Sequence, residues 1–214
     1  MTTTKPGKSA RRERENEQRH EAMIEVAVEL FASGGYFGTR IEEIADAAEF
    51  SRSAVYLHFP GGKEELYAAA MTRAVQCRTQ VIAEALQARN DKKQTRLHVV
   101  WQALEQFYEQ HPNYVRLLGS LGSDDIRKVI PSDALHVVML EGTKTFRLMD
   151  QTLRSDWTTP NELRELPRFH LAWSVWSSFM GTVQFAESLI HIGHDVDMGS
   201  LLASTLATLE PAFL

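Results

Sequence analysis

The chain has 214 residues, 43% of them hydrophobic and 24% charged, enough for two cored domains and inconsistent with a disordered or membrane-embedded protein. No apolar run approaches the ~18 residues of a membrane span, and the amino end lacks the apolar stretch of a secretory signal, so a cytoplasmic location and no membrane partner are expected. The single cysteine, Cys77, excludes an internal disulfide framework and a cysteine-cluster zinc site, and the net charge of −5 leaves any nucleic-acid contact to be decided by where the cations lie.

At the amino end Lys5, Lys8, Arg11, Arg12, Arg14 and Arg19 outnumber Glu13, Glu15 and Glu17 without apolar periodicity, which predicts a flexible basic arm over residues 1–17. From about 18 to 33, Met23, Ile24, Ala27, Leu30 and Phe31 recur at helical spacing until Gly34-Gly35 stops the pattern. Thr39-Arg40-Ile41-Glu42 has the form of a capping box opening a short second helix, whose buried face is Ile41, Ile44, Ala45 and Ala48. After a break at Glu49-Phe50, Ser51 is placed to cap a third helix from Arg52 to about Phe59, buried through Val55 and Phe59. Three short helices joined this way form a helix-turn-helix, here bounded at residues 18–66. Pro60-Gly61-Gly62 ends the third helix, and Lys63 opens a long one reaching about Leu86.

Beyond Asn90 the pattern stays helical, at roughly 93–110, 112–121, 132–156, 160–191 and 196–210. The expectation is an all-α chain of about nine helices, with 67–214 forming a larger carboxy-terminal domain. Pro112, Pro131 and Pro160 fall near helix starts, where a missing amide costs little, and Thr159-Pro160-Asn161-Glu162 combines a cap with a first-turn proline. Pro167 either begins a main segment over 167–191 or kinks one continuous helix.

Arg40, Arg52 and Lys63 each stand in the first turn of successive helices, where side-chain cations coincide with the positive ends of helix dipoles and can converge on phosphates. The third helix is short enough to enter a major groove about 12 Å wide, with Arg52 and Ser53 as base readers beside the capping Ser51. The segment AVELFASGGYFGTRIEEIADAAEFSRSAVYLHFPGGKEELYAA resembles the DNA-binding region of the TetR/AcrR family of bacterial regulators. The likeness is carried by Ala27, Leu30-Phe31, Gly35-Tyr36, Thr39, Ile44-Ala45, Ala48, Ser51, Tyr56, His58-Phe59, Lys63, Glu64 and Leu66. His111-Pro112 with Tyr114 and Leu117-Leu118 looks like the family's entry to its sixth helix. The resemblance implies that Tyr56 and His58 contact phosphates and that Thr39 and Lys63 flank the groove. Glu49 and Ser53 depart from it, since many relatives have Gly in the turn and Gly or Pro in the third helix; a left-handed Glu49 would carry a Cβ penalty.

Residues 97–190 hold all four tryptophans and many other aromatics. Trp101, Leu104, Phe107, Tyr108, Phe146, Met149, Phe169, His170 and Trp173 are the candidate lining of a pocket for a small apolar or amphipathic effector, with His98, Gln102, His136 and Thr143 as further polar groups. Such aromatics also serve as ordinary core. Trp176, Ser177, Met180, Gly181 and Val183 with Leu201, Leu202, Leu206 and Leu209 form the candidate homodimer face, for which the resemblance implies a four-helix bundle.

These observations point to a ligand-responsive regulator, a repressor released from a palindromic operator on double-stranded DNA. The alternatives are a DNA-organising protein using the same module and a helical metal-dependent enzyme. His191, His194, Asp195 and Asp197 could suggest a metal site but lack helical ligand spacing, and no nucleophile with an oriented base and no phosphate loop can be found, so no catalytic residue, metal or cofactor is assigned.

Overall fold

The computed structural model describes residues 8–90 and 93–213, and the described residues are all-helical with no strand. Eleven α-helices follow in chain order: α1 (Lys8–Gly38), α2 (Ile41–Ala47), α3 (Arg52–His58), α4 (Gly62–Ala88), α5 (Arg96–Gln110), α6 (Pro112–Gly119), α7 (Asp124–Val129), α8 (Ser132–Arg154), α9 (Asn161–Arg164), α10 (His170–His191) and α11 (Met198–Leu209). The two beyond expectation, α7 and α9, are too short for a periodic signal. The chain divides into two compact units, Met1–Arg73 with Arg116–Val138, and Ala74–Val115 with Met139–Leu214. The helix-turn-helix region expected over 18–66 falls within the first unit, which also takes in the distant segment 116–138.

In the first unit α1 begins at Lys8, so the described part of the forecast basic arm is helical. Pairs one turn apart, Ser9 Oγ donating to Glu13 at 3.0 Å and Arg11 to Glu15 at 2.7 Å, supply local support that apolar periodicity does not reveal. Residues 1–7 lie outside the described residues. The helix path breaks at Gly35, whose φ of 67° and ψ of 171° suit glycine. The turn between α2 and α3 holds Glu49 at φ 59°, the left-handed conformation suspected from the sequence. Ser51 caps α3, accepting from the Ala54 amide at 3.2 Å. Met23, Ala27, Phe31, Ile44, Val55, Phe59, Leu66 and Tyr67 form the core, to which Leu117, Leu118 and Ile126 belong from the distant segment. Tyr67 meets Phe31 edge-on at 4.8 Å and exchanges a 2.6 Å hydrogen bond with Ser120.

The second unit buries Ile82, Leu97, Trp101, Leu104, Phe107, Met149, Leu153, Val175, Phe179 and Val183. Its buried carboxylates are satisfied: Asp150 accepts from Arg154 at 2.7 Å, and Asp156 accepts from the Arg96 amide and the Thr158 hydroxyl. Thr159 donates to the Leu153 carbonyl at 2.7 Å, leaving Pro160 as the residue preceding α9. Pro167 lies in the break between α9 and α10, and Arg154 donates to its carbonyl at 2.9 Å, so the segment is two helices and not one kinked one. Among the described residues no helix is long and apolar enough to cross a membrane.

Candidate nucleic-acid interface

The reading face is built by which side of α3 is buried. Val55 turns into the core with the adjoining Phe59, leaving Arg52, Ser53, Tyr56 and Leu57 exposed as one contiguous surface. Arg52 lies 2.9 Å from Glu42 of α2, with its guanidinium carbon 5.6 Å from the Tyr56 ring centre. The Tyr56 hydroxyl, and next the Glu42 carboxylate, hold the Arg52 guanidinium above its ordinary pKa. Ser51 and Ser53 share a 3.0 Å hydrogen bond across the first turn. Gly62, at φ 68°, is needed beside this face, because a Cβ there would come within 3.2 Å of the Tyr56 ring.

The flanking residues divide into exposed and consumed groups. Arg40 is exposed at the start of α2 and paired with Glu43, whose carboxylate accepts from the Arg40 amide at 2.9 Å and from its guanidinium at 2.9 Å. Only the carboxylate half of a capping box is thus present, from Glu43 to the Arg40 amide and one residue later than Thr39 and Glu42 suggested; the Arg40 guanidinium has no acceptor for the other half, and Thr39 has another task. Thr39 is 3% exposed, with its hydroxyl 3.0 Å from the Leu30 carbonyl and 2.8 Å from that of Gly35, closing the end of α1. Lys63 lies 4.2 Å from the centre of the Tyr36 ring, and burial pushes its pKa down against the pull of Glu64 and Glu43. His58 is half-buried, 5.9 Å from His20; burial, then the charges of His20 and Arg19, push its pKa below the ordinary value, which favours a neutral imidazole at pH 7.

Sequence reasoning passed over Leu57, which is 78% exposed on α3. With Ser9, Arg12, Glu13, Glu15, Asn16 and Arg19 it lines an open cleft of about 530 Å³, bringing the amino-terminal turns of α1 alongside the reading helix. The available signal was an apolar residue one position after Tyr56, on the side opposite Val55.

In the second unit the forecast pocket residues separate by burial. Trp101, Leu104, Phe107 and Met149 are fully buried, and Trp101 meets Phe179 edge-on at 5.6 Å while donating from Nε1 to Glu105 at 3.0 Å. Tyr108 and Phe146 are half-buried. Half-buried Phe169 and exposed His170 and Trp173 cluster at the start of α10, with Trp173 45% exposed; there the chain turns through a left-handed Phe169 at φ 71°, which keeps them out of the interior. Of the polar candidates, His98 bonds Glu210 at 3.0 Å, Gln102 accepts from Gln94 at 2.9 Å and Thr143 donates to the Met139 carbonyl at 2.8 Å; His136 is exposed in the first unit.

The forecast dimer face also divides. Met180, Val183, Leu202 and Leu206 are already buried within the chain, where α10 and α11 pack together, and Trp176, Leu201 and Leu209 are half-buried. The surface these helices leave open carries Trp173, Ser177, Gly181 and Phe185 on α10 and Ala203, Ser204 and Ala207 on α11. The apolar rows in the sequence therefore mark the internal seam, since intrachain packing takes the larger side chains. Asp197, considered above as a ligand, caps α11 by accepting from the Gly199 amide at 3.1 Å.

A helix-turn-helix with an exposed, cation-bearing third helix, followed by a larger helical unit, defines the class of helix-turn-helix DNA-binding proteins. Residues 23–70 match the bacterial regulatory proteins of the tetR family. The chain is 34% identical over 71 residues to the HTH-type transcriptional regulator LmrA of Bacillus subtilis, covering 33% of this chain and 38% of that protein. It is 32% identical over 102 residues to the HTH-type transcriptional activator FasR of Mycolicibacterium smegmatis, covering 48% and 46%. The matched region thus spans less than half of either relative. Over most of its length the chain shares the fold of AibR, solved in complex with isovaleryl coenzyme A and operator DNA, at 17% identity and a TM-score of 0.66, with 90% and 98% of the two chains covered. The likeness to the tetR family is thus carried by the helix-turn-helix region, residues 23–70.

Proposed function

We propose that the protein is a homodimeric repressor that binds a palindromic operator through α3 of each subunit and is released by a small, mainly apolar effector held in the second unit. The observation that carries this is the exposed face of Arg52, Ser53, Tyr56 and Leu57, set on a helix whose other side is locked into the core. One such helix covers too few base pairs for specific binding, so two subunits are required. On the open surface of α10 and α11, Ser177 and Gly181 lie one turn apart between the exposed Trp173 and Phe185, which suits helix approach between copies.

Arg52 and Ser53 read base edges, Tyr56, His58, Arg40 and Lys63 hold phosphates, and Ser51 fixes the start of the reading helix. The effector reading is supported by the ligand-bound state of AibR and by the aromatic content of the second unit. α4, from Gly62 to Ala88, contributes its first turns to one unit and its later turns to the other. Half-sites lie about 34–36 Å apart or a multiple of that, and an effector preferring the non-binding form tenfold contributes about 1.4 kcal/mol per site.

The test is a screen of small apolar and amphipathic compounds against an operator complex obtained by selection from random DNA. Release by one compound, tracked by tryptophan fluorescence, is the expected result. Tighter DNA binding would reverse the sense of control, as the activator name of FasR allows, and no effect from any compound would remove the effector half.

A further inference from the structure

Arg78 on α4 is 3% exposed, inside the second unit. Its guanidinium carbon lies 4.3 Å from the centre of a Trp176 ring and 5.1 Å from the Phe146 ring. Its Nε is buried without a hydrogen-bond partner, and among the described residues no carboxylate pairs with it. Burial alone pushes its pKa down, to about 9, which still leaves it protonated at neutral pH. Arg154 in the same unit shows the contrast: it is paired with Asp150 and donates to the Pro167 carbonyl.

A buried cation with no counter-ion is among the costliest features a fold can keep, and two aromatic faces offset only part of that cost. A guanidinium also presents a planar fork that takes two oxygens of a carboxylate or phosphate at once, and it binds them more strongly where water is excluded. The flanking rings offer an apolar surface directly beside that fork.

We propose that Arg78 anchors the head group of the effector, which is therefore an amphipathic anion: its carboxylate or phosphate engages Arg78 and its apolar part lies against Phe146 and Trp176. This rests on the effector reading above and narrows it from any apolar compound to an anionic one. Phe146 was already among the forecast pocket residues, whereas Trp176 moves from the dimer face to the ligand site. Arg78 itself gave no sequence signal, since one arginine in a helix is normally solvated.

The experiment measures binding of decanoate, decyl phosphate and decanol, each below its aggregation concentration, to the full-length protein by calorimetry, alongside operator release by each. The wild type is expected to bind at least one of the two anions about tenfold or more tightly than decanol, as a charge-assisted pair in a dry site allows. Which anion is preferred identifies the head group. Arg78→Met should bring that anion to parity with decanol, and Arg78→Lys should restore part of the preference. Without ligand, Arg78→Met should melt at or above the wild-type temperature, because an unpaired buried charge has been removed.

Equal affinity for anions and decanol, no binding of either anion, or an undiminished anion preference in Arg78→Met each overturns the proposal. A lowered melting temperature with that preference intact assigns Arg78 a purely structural part and also overturns it. Operator release by decanol alone would sink the anchor while keeping the effector reading. If none of the probes binds or changes operator affinity, the anchor fails, and the broader compound screen then decides the effector reading separately.

Discussion

Thr39 is where family resemblance and geometry make opposing predictions. The resemblance places it at the groove, whereas its hydroxyl is buried against the Leu30 and Gly35 carbonyls at the end of α1. Thr39→Val preserves shape and removes only the donor. Losing the hydrogen bond of that buried hydroxyl should cost about 1–3 kcal/mol. At about 2–4 °C per kcal/mol for a chain of this size, the melting temperature should fall by roughly 2–12 °C. Calorimetry gives that number, and fluorescence anisotropy on operator DNA, well below the transition, gives the other. Affinity should stay within about twofold, with the salt slope unchanged, whereas loss of a phosphate contact would shallow the slope by about 0.9. Weakened DNA binding with an unchanged melting temperature would refute the structural assignment.

Glu49→Gly should stabilise the fold by up to ~1 kcal/mol, since a left-handed residue with a Cβ is relieved at some cost in chain entropy; a lower urea midpoint would count against this. Arg52→Ala should weaken specific binding by about 1–3 kcal/mol, while Lys63→Ala should weaken all DNA alike; equal losses on specific and random DNA in both variants would reject the division of roles. Because the pKa of His58 lies below its ordinary 6.5, the unfolded chain takes up the proton first as pH falls. Stability should therefore be lost from about pH 6.5 downward until folded His58 also protonates, and His58→Gln should flatten that part of the profile; an unaltered profile would remove His58 as its source. Gly181→Glu, on the open face of α10, should shift the protein to monomer by ultracentrifugation, since an unpaired charge buried at an interface costs several kcal/mol. An intact dimer would locate the interface elsewhere.

Where apolar spacing was long and strong, the sequence was informative. The helices around Phe31, Leu104 and Phe179 lie close to where periodicity puts them, and Ser51 caps α3 as its side-chain chemistry requires. Glu49 was suspect because the turn needs a left-handed residue, and it has that conformation. What was hidden depends on which side of a helix is buried, which spacing alone does not decide. Met180 and Leu202 have the character of a dimer seam, yet they fill the junction of α10 with α11. Thr39 matched a DNA-contact position, but a hydroxyl near a helix end can satisfy carbonyls of its own chain, and here it does. The helical turns from Lys8 rest on side-chain pairing one turn apart, to which an apolar-period reading is blind.

The central claim is that the exposed face of α3 reads one palindromic DNA sequence in the context of a dimer. Its most direct test is selection of bound DNA from a random pool by wild type and Arg52→Ala, followed by footprinting of the enriched sequence. The account predicts that wild type enriches one palindrome, protected over two half-sites about 34–36 Å apart or a multiple of that, and that Arg52→Ala loses its preference at one base position in each half-site. Uniform protection with no enriched sequence, or an unchanged preference in Arg52→Ala, would contradict it.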